Sequence, residues 1–188
     1  NTKSRAFRHL DQARDLVLST VLNCCHVSFS EPLYTAMILK QTKVLEPIRP
    51  TVRAVIFRNG DLLVQVKQKR GSAAYLTLPG GKQDPGETAE EALIRECAEE
   101  VGTTVTVGPL LHVAEVFKTK TEGKRHQLEL LFACEVPDDY VPVTGPHPDP
   151  SQVGTIWASP AKSAADFRPA YAAALTTAAP VYLGVFDD

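Results

Sequence analysis

The acidic residues of this chain are concentrated in one short stretch, between Gly81 and Thr103. Seven of the 22 acids lie there, namely Asp84, Glu87, Glu90, Glu91, Glu96, Glu99 and Glu100. In a helix that turns by about 100° per residue, Glu96, Glu99 and Glu100 share one face. Carboxylate oxygens without His or Cys suit Mg²⁺ or Mn²⁺ better than Zn²⁺. The spacing therefore indicates either a site for a hard divalent cation or an ordinary solvated acidic face.

The segment before this helix is rich in glycine. Pro79-Gly80-Gly81 leads into a loop, and Thr88 with Glu91 has the spacing of a capping box. Glycine lets the backbone approach a ligand closely and leaves a carbonyl free for a metal. The sequence therefore predicts a ligand-facing loop followed by a helix over 88–101.

Together these residues resemble the Nudix box of the Nudix hydrolases. The fixed positions of that pattern are matched by Gly81, Glu87, Arg95, Glu96, Glu99, Glu100 and Gly102. Two positions that are bulky and aliphatic in the family hold Cys97 and Thr103 here, which is a mild departure. The resemblance implies an α+β fold, a Nudix-type α/β/α sandwich with a mixed sheet.

The resemblance also implies a reaction, the metal-dependent hydrolysis of the diphosphate linkage in a nucleoside diphosphate joined to another moiety. Mg²⁺ is the expected cofactor, with Mn²⁺ as the second choice. The positions that would bind the metal are Gly81, through its carbonyl, and Glu96, Glu99 and Glu100. The positions that would be structural are Glu87, Arg95 and Gly102.

The identity of the catalytic base is left open at this point. The candidate catalytic residues are Glu96, Glu99, Glu100 and Glu129. Glu129 lies on a predicted strand, His126–Val136, from which its carboxylate could join the metal site. The alternative for Glu129 is an exposed acid on that strand.

Substrate binding is predicted at Arg53, Gly80, Gly81 and Lys82. Lys67 is among the other cations that could contact phosphates. Since 117–119 lacks the Pro or Tyr that marks some family subclasses, nucleoside triphosphates and modified nucleotides come first as substrates. ADP-ribose and nucleotide sugars come next. The alternative function is a non-catalytic Nudix-like module that senses a nucleotide.

The rest of the sequence predicts the elements that would position this site. Residues 1–50 are predicted as an N-terminal helical extension, and 51–188 as the Nudix domain. Two strands around Asn59-Gly60 predict a hairpin. Lys118–Arg125 is predicted as a polar loop, and Arg168–Thr177 as a final helix.

Composition narrows the expected partners and location. The chain has 188 residues and a formal net charge of −2, whereas proteins that bind nucleic acid polymers are usually strongly basic. No apolar run approaches the roughly 20 residues of a membrane helix, so no membrane partner is expected. The four cysteines show neither metal-ligand nor disulfide spacing, which favours a cytoplasmic protein. The apolar stripe of the helical extension predicts a homodimer.

Overall fold

The structure, a computed structural model, describes residues 44–188. Its elements in chain order are strand β1 (Val44–Val55), β2 (Phe57–Arg58), β3 (Asp61–Lys67), β4 (Tyr75–Thr77), helix α1 (Ala89–Val101), β5 (Thr106–Lys120), β6 (Gly123–Glu135), β7 (Gln152–Ala158), two 3₁₀-helices (Ala164–Asp166 and Ala172–Thr176) and β8 (Tyr182–Asp187). Most of the predicted helical extension lies outside the described residues. The division at residue 50 and the homodimer therefore stay predictions.

The strands form two sheets. In the first, the order is β1-β6-β5-β8, with β1 parallel to β6, β5 antiparallel to β6 and β8 parallel to β5. In the second, β3 pairs with β7 along one edge and with β2 and β4 along the other, all antiparallel. The predicted α+β fold with a mixed sheet is confirmed.

Two apolar clusters hold these layers together. One lies between the sheets and includes Val55, Val64, Leu131 and Phe167. The other packs the apolar face of α1 against the first sheet and Leu63 of β3. Because one face of α1 is buried, the opposite face is presented away from the core. No helix within residues 44–188 combines the length and apolarity that a membrane span needs.

The predicted hairpin forms at Asn59-Gly60, where both residues have positive φ, 54° and 87°. Such values define a turn that matches the twist of paired strands. Strand β1 begins at Val44 and therefore includes residues 44–50 of the predicted N-terminal extension. A register shift between Leu45 and Arg49 interrupts its pairing with β6. Pro47 lies within this interruption, where its missing N–H removes no hydrogen bond from the ladder.

The prediction of a polar loop over Lys118–Arg125 is wrong. Lys118 pairs with Arg125 across the antiparallel ladder, and only Thr121 and Glu122 separate β5 from β6. The polar composition of this stretch reflects its solvent-facing side chains and not the absence of a strand. As a result, Lys118 is a strand residue whose direction is fixed by the sheet.

The predicted helix over Arg168–Thr177 is also wrong, because the structure has only a 3₁₀-helix, Ala172–Thr176, there. Phe167, Tyr171 and Ala172 are buried in the cluster between the sheets. These anchors fix the path of the chain through the core, and tertiary packing then overrides the helical propensity of the alanines. α1 is the single α-helix among the described residues.

Candidate active site

Helix α1 is fixed at both ends. Thr88 Oγ1 accepts a hydrogen bond from the Glu91 amide at 3.2 Å, and the Glu91 carboxylate accepts one from the Thr88 amide at 2.8 Å. At the other end, Gly102 adopts φ 67°, the left-handed conformation that ends many helices. The two caps therefore fix where the helix begins and ends, and with it which residues lie on its acidic face.

Arg95 joins the acidic helix to the loop before it. Its Nε donates to Glu87 Oε1 at 2.6 Å and its Nη2 to Glu87 Oε2 at 2.9 Å, a bidentate pair. Nη1 donates to Glu96 at 3.0 Å and to Glu99 at 3.4 Å. Hydrogen bonding to Arg95 lowers the pKa of Glu87 to about 2. Glu87 and Arg95 thus have the contacts that a structural role requires.

The Glu96 carboxylate lies directly against the backbone of Gly81. A Cβ added to Gly81 would come within 2.5 Å of that carboxylate, closer than real Cβ atoms approach. The Gly81 carbonyl accepts a hydrogen bond from the Val52 amide at 2.9 Å, which leaves one lone pair. Burial raises the pKa of Glu96, although the hydrogen bond from Arg95 opposes this. Only glycine allows this approach.

We expect Gly81→Ala to lower kcat/KM by about 10²-fold, because displacing a catalytic carboxylate by about 1 Å has an effect of that order. The assay is steady-state hydrolysis of a nucleotide. Gly154→Ala in β7 is the matched control, since a Cβ there meets nothing within 4 Å. Equal activity of the two variants would show that the Glu96–Gly81 contact is not needed.

Glu100 is buried and held by groups from two strands and the glycine loop. The Gly80 amide donates to its Oε2 at 3.0 Å, and Gln65 Nε2 donates to the same oxygen. Lys67 Nζ lies 3.8 Å from Oε1. The backbone carbonyl of Glu100 accepts a hydrogen bond from Gln152 Nε2 at 2.8 Å. Glu100 is thus fixed in position while its Oε1 is left without a close hydrogen-bond partner among these groups.

Glu129 is fully buried, with 0% of its side chain exposed. Arg53 contacts Oε1 at 3.0 Å, Lys118 Nζ lies 3.8 Å from the same oxygen, and Tyr171 donates to Oε2 at 3.0 Å. Burial tends to raise its pKa, but the positive charges of Arg53 and Lys118 outweigh burial and lower it. Arg53 also donates to the carbonyl of Gly80. The Arg53–Glu129 pair therefore connects the interior of the first sheet to the glycine loop.

A cavity of about 930 Å³ opens beside these residues. Its lining contains eight Lys or Arg residues and four Asp or Glu residues. The acids include Glu96 and Glu100, and the cations come from both sheets and from the loops. Because its lining has more positive than negative side chains, the cavity suits an anionic ligand. A cation bound at the Glu96 and Glu100 carboxylates would contact the same ligand.

The residues predicted to act in catalysis, metal binding or substrate binding fall into two groups. Those that line the cavity are Arg53, Gly80, Gly81, Lys82, Glu96 and Glu100. Glu99 and Glu129 do not: Glu99 is directed to Arg95, and Glu129 lies behind the cavity wall. No three His, Cys, Asp or Glu side chains converge into a ready metal cluster among residues 44–188. Instead, Arg95 binds Glu96 and Glu99 while Gln65 and Gly80 hold Glu100.

Two contributing residues, Lys118 and Tyr171, are not identified by the sequence reasoning, and a third, Asp149, is only a weak candidate among the loop acids. Lys118 lines the cavity, but it falls in the segment predicted as a loop. Asp149 lines the cavity and pairs with Lys67 at 3.6 Å. Tyr171 contacts Glu129. Tyr171 carries no signal in the sequence, because only the folded chain brings it to Glu129.

Comparisons with known proteins agree with this fold. The sequence model of the NUDIX domain matches residues 47–177. An 8-oxo-dGTP diphosphatase of Proteus vulgaris is 33% identical over 88 residues, covering 42% of this chain and 79% of the relative. A CTP pyrophosphohydrolase of Escherichia coli (strain K12) is 40% identical over 58 residues, covering 30% of this chain and 43% of the relative.

A solved structure, a NUDIX hydrolase from Nitrosomonas europaea, superposes with a TM-score of 0.57 at 25% identity. The match covers 69% of this chain and 86% of the other. The chain belongs to the Nudix hydrolase family. The predicted enzyme class, a Nudix pyrophosphohydrolase, is thereby confirmed, and the choice of substrate is a separate question.

Proposed function

We propose that the chain hydrolyses the diphosphate linkage of a nucleoside diphosphate joined to another moiety, with nucleoside triphosphates and modified nucleotides preferred. The observation that carries the proposal is the cavity in which Glu96, Glu100 and Gly81 lie beside eight cationic side chains. The names of the two curated relatives, which act on 8-oxo-dGTP and CTP, support the same substrate class. ADP-ribose and nucleotide sugars are the next candidates.

The donor set fits a hard divalent cation. Glu96, Glu99 and Glu100 offer only oxygens, and Gly81 adds a carbonyl oxygen where a side chain would block the approach of Glu96. We propose that these four residues hold Mg²⁺, or Mn²⁺ in its place. When bound, the cation would neutralise phosphate charge and lower the pKa of the attacking water.

The other residues would position the reacting groups. Arg95 would orient the Glu96 and Glu99 carboxylates, and the cations of the cavity would hold phosphate oxygens. We place the base among the box glutamates and not at Glu129, since both oxygens of Glu129 are engaged and its side chain is fully buried. Glu129 would then be a positioning residue that holds Arg53 and the glycine loop.

The test is a panel of nucleotides with Mg²⁺, in which nucleoside monophosphate, pyrophosphate and orthophosphate are measured separately. We expect monophosphate and pyrophosphate from a nucleoside triphosphate, and slower turnover of ADP-ribose and nucleotide sugars. Nucleotide binding without turnover of any member of the panel would contradict the proposal and favour a sensing module.

A further inference from the structure

Lys118 and Lys67 approach one cavity from different sheets. We propose that they form a phosphate-binding subsite that holds the substrate phosphate next to the one bound at the carboxylates, and so select substrates that carry a further charged phosphate there. The inference rests on the proposed function and names a subsite within that site. The proposal is based on the positions of the Lys118 and Lys67 ammonium groups.

Lys118 is held in place without being neutralised by close contacts. Its Nζ lies 3.8 Å from Glu129 Oε1 and 3.9 Å from Asp188 Oδ2, and 24% of its side chain is exposed. Both distances exceed those of a charged hydrogen bond, about 2.7–2.9 Å. The two carboxylates therefore orient the ammonium group while its N–H donors remain for a ligand in the cavity.

Lys67 has the same arrangement on the other sheet. Its side chain is 11% exposed, with Nζ 3.8 Å from Glu100 Oε1 and 3.6 Å from Asp149 Oδ2. It therefore lies between Glu100, at the proposed metal site, and the remainder of the cavity. A phosphate held by Lys67 would be the immediate neighbour of the phosphate held at Glu100.

The surroundings of Lys118 disfavour its charged form in the free protein. Burial, reinforced by the nearby charge of Arg53, lowers the pKa of Lys118 to about 8, although Glu129 and Asp188 act in the opposite direction. Lys67 also disfavours the charged form of Lys118. A phosphate between the two lysines would relieve this repulsion, because an opposite charge at short range favours the charged form.

The chemistry of the subsite discriminates among substrates. A lysine acts as a compact point charge with three donors, so it is stabilised by a phosphate oxygen far more than by a sugar hydroxyl. A nucleoside triphosphate offers a further charged phosphate beside the cleaved linkage, whereas a nucleotide sugar offers a sugar. The subsite therefore favours the triphosphate.

The test compares Lys118→Met with Lys162→Met, the same change at an exposed lysine outside the cavity. We expect Lys118→Met to raise KM for a nucleoside triphosphate by about tenfold to hundredfold, the range of a hydrogen bond to a charged group, with kcat changed far less. KM for a nucleotide sugar should rise less. Lys118→Arg should restore most of the loss, and Lys162→Met should match the unaltered protein.

Inorganic triphosphate provides a readout that does not depend on turnover. Its Kd, measured by calorimetry with Mg²⁺, should rise in Lys118→Met and stay unchanged in Lys162→Met. If the unaltered protein hydrolyses no nucleotide, the proposed function fails, yet this binding difference would still support the subsite. If the protein is active but Lys118→Met changes neither KM nor this Kd by more than twofold, the subsite alone is overturned. Lys118→Gln serves as the second variant if the methionine variant unfolds.

Discussion

Glu100→Gln is expected to lower kcat by about 10³-fold, because a metal supplies several kcal/mol of transition-state stabilisation and each 1.36 kcal/mol is tenfold in rate. The substitution removes a negative charge but keeps an oxygen that can accept from the Gly80 amide and from Gln65. The fold should therefore survive, with a melting temperature close to that of the unaltered protein. The measurements are kcat, the Kd for Mn²⁺ and the melting temperature.

Glu90→Gln is the matched control, since Glu90 is exposed on the first turn of the same helix and does not line the cavity. It should keep full activity and full Mn²⁺ affinity. The assignment of Glu100 would be contradicted if Glu100→Gln bound Mn²⁺ and turned over nucleotide as well as Glu90→Gln does.

Glu129→Ala is expected to lower the free energy of unfolding by about 3–5 kcal/mol, the usual effect of removing one partner from a buried ion pair. The substitution leaves Arg53 buried at 5% exposure without its counter-charge, and Tyr171 without its acceptor. The loss of unfolding free energy is measured by chemical denaturation, in which the variant and the unaltered protein should have the same m-value.

Glu135→Ala is the control, because Glu135 is an exposed acid at the end of the same strand. It should change the unfolding free energy by no more than about 0.5 kcal/mol. The double variant Arg53→Met/Glu129→Leu should recover part of the loss, since neither member of the Arg53–Glu129 pair then remains buried without its partner. A single Glu129→Ala variant as stable as the Glu135 control would show that the buried network contributes little.

Much of the helix and its loop could be predicted from sequence, because local physical rules decide them. The capping box at Thr88 and Glu91 lies within one turn, and the glycine at position 102 ends the helix by its own conformation. The hairpin at Asn59-Gly60 depends on two residues that tolerate positive φ. In each case the signal lies within a few residues, so no knowledge of distant contacts is needed.

The parts that could not be predicted depend on contacts between distant segments. Lys118 reads as a loop residue because the last residues of β5 are polar, and only the pairing with β6 shows that Lys118 is part of a ladder. The prediction of a final helix over Arg168–Thr177 is wrong because Phe167 and Tyr171 are buried in the core between the sheets. The enclosure of Glu129 requires Arg53, Lys118 and Tyr171, which lie far apart in the chain.

The surroundings of the box carboxylates also differ from what spacing alone implies. Sequence spacing places Glu96, Glu99 and Glu100 on one helix face, but in the structure only Glu96 and Glu100 line the cavity. Arg95, however, engages Glu96 and Glu99, whereas Gln65 and Gly80 engage Glu100. These partners neutralise or orient the carboxylates. Arg95 lies on the same helix, whereas Gln65 comes from β3 and Gly80 from the glycine loop, which helical periodicity cannot reveal.

The central claim is that a divalent cation held at the box carboxylates is required for cleavage of a diphosphate linkage. It is tested most directly by following pyrophosphate release from a nucleoside triphosphate after chelation with EDTA and again after Mg²⁺ is returned in excess. We predict that release stops on chelation and resumes with Mg²⁺ in the unaltered protein. In Glu100→Gln the release should stay near background throughout. Undiminished release in EDTA would contradict the account.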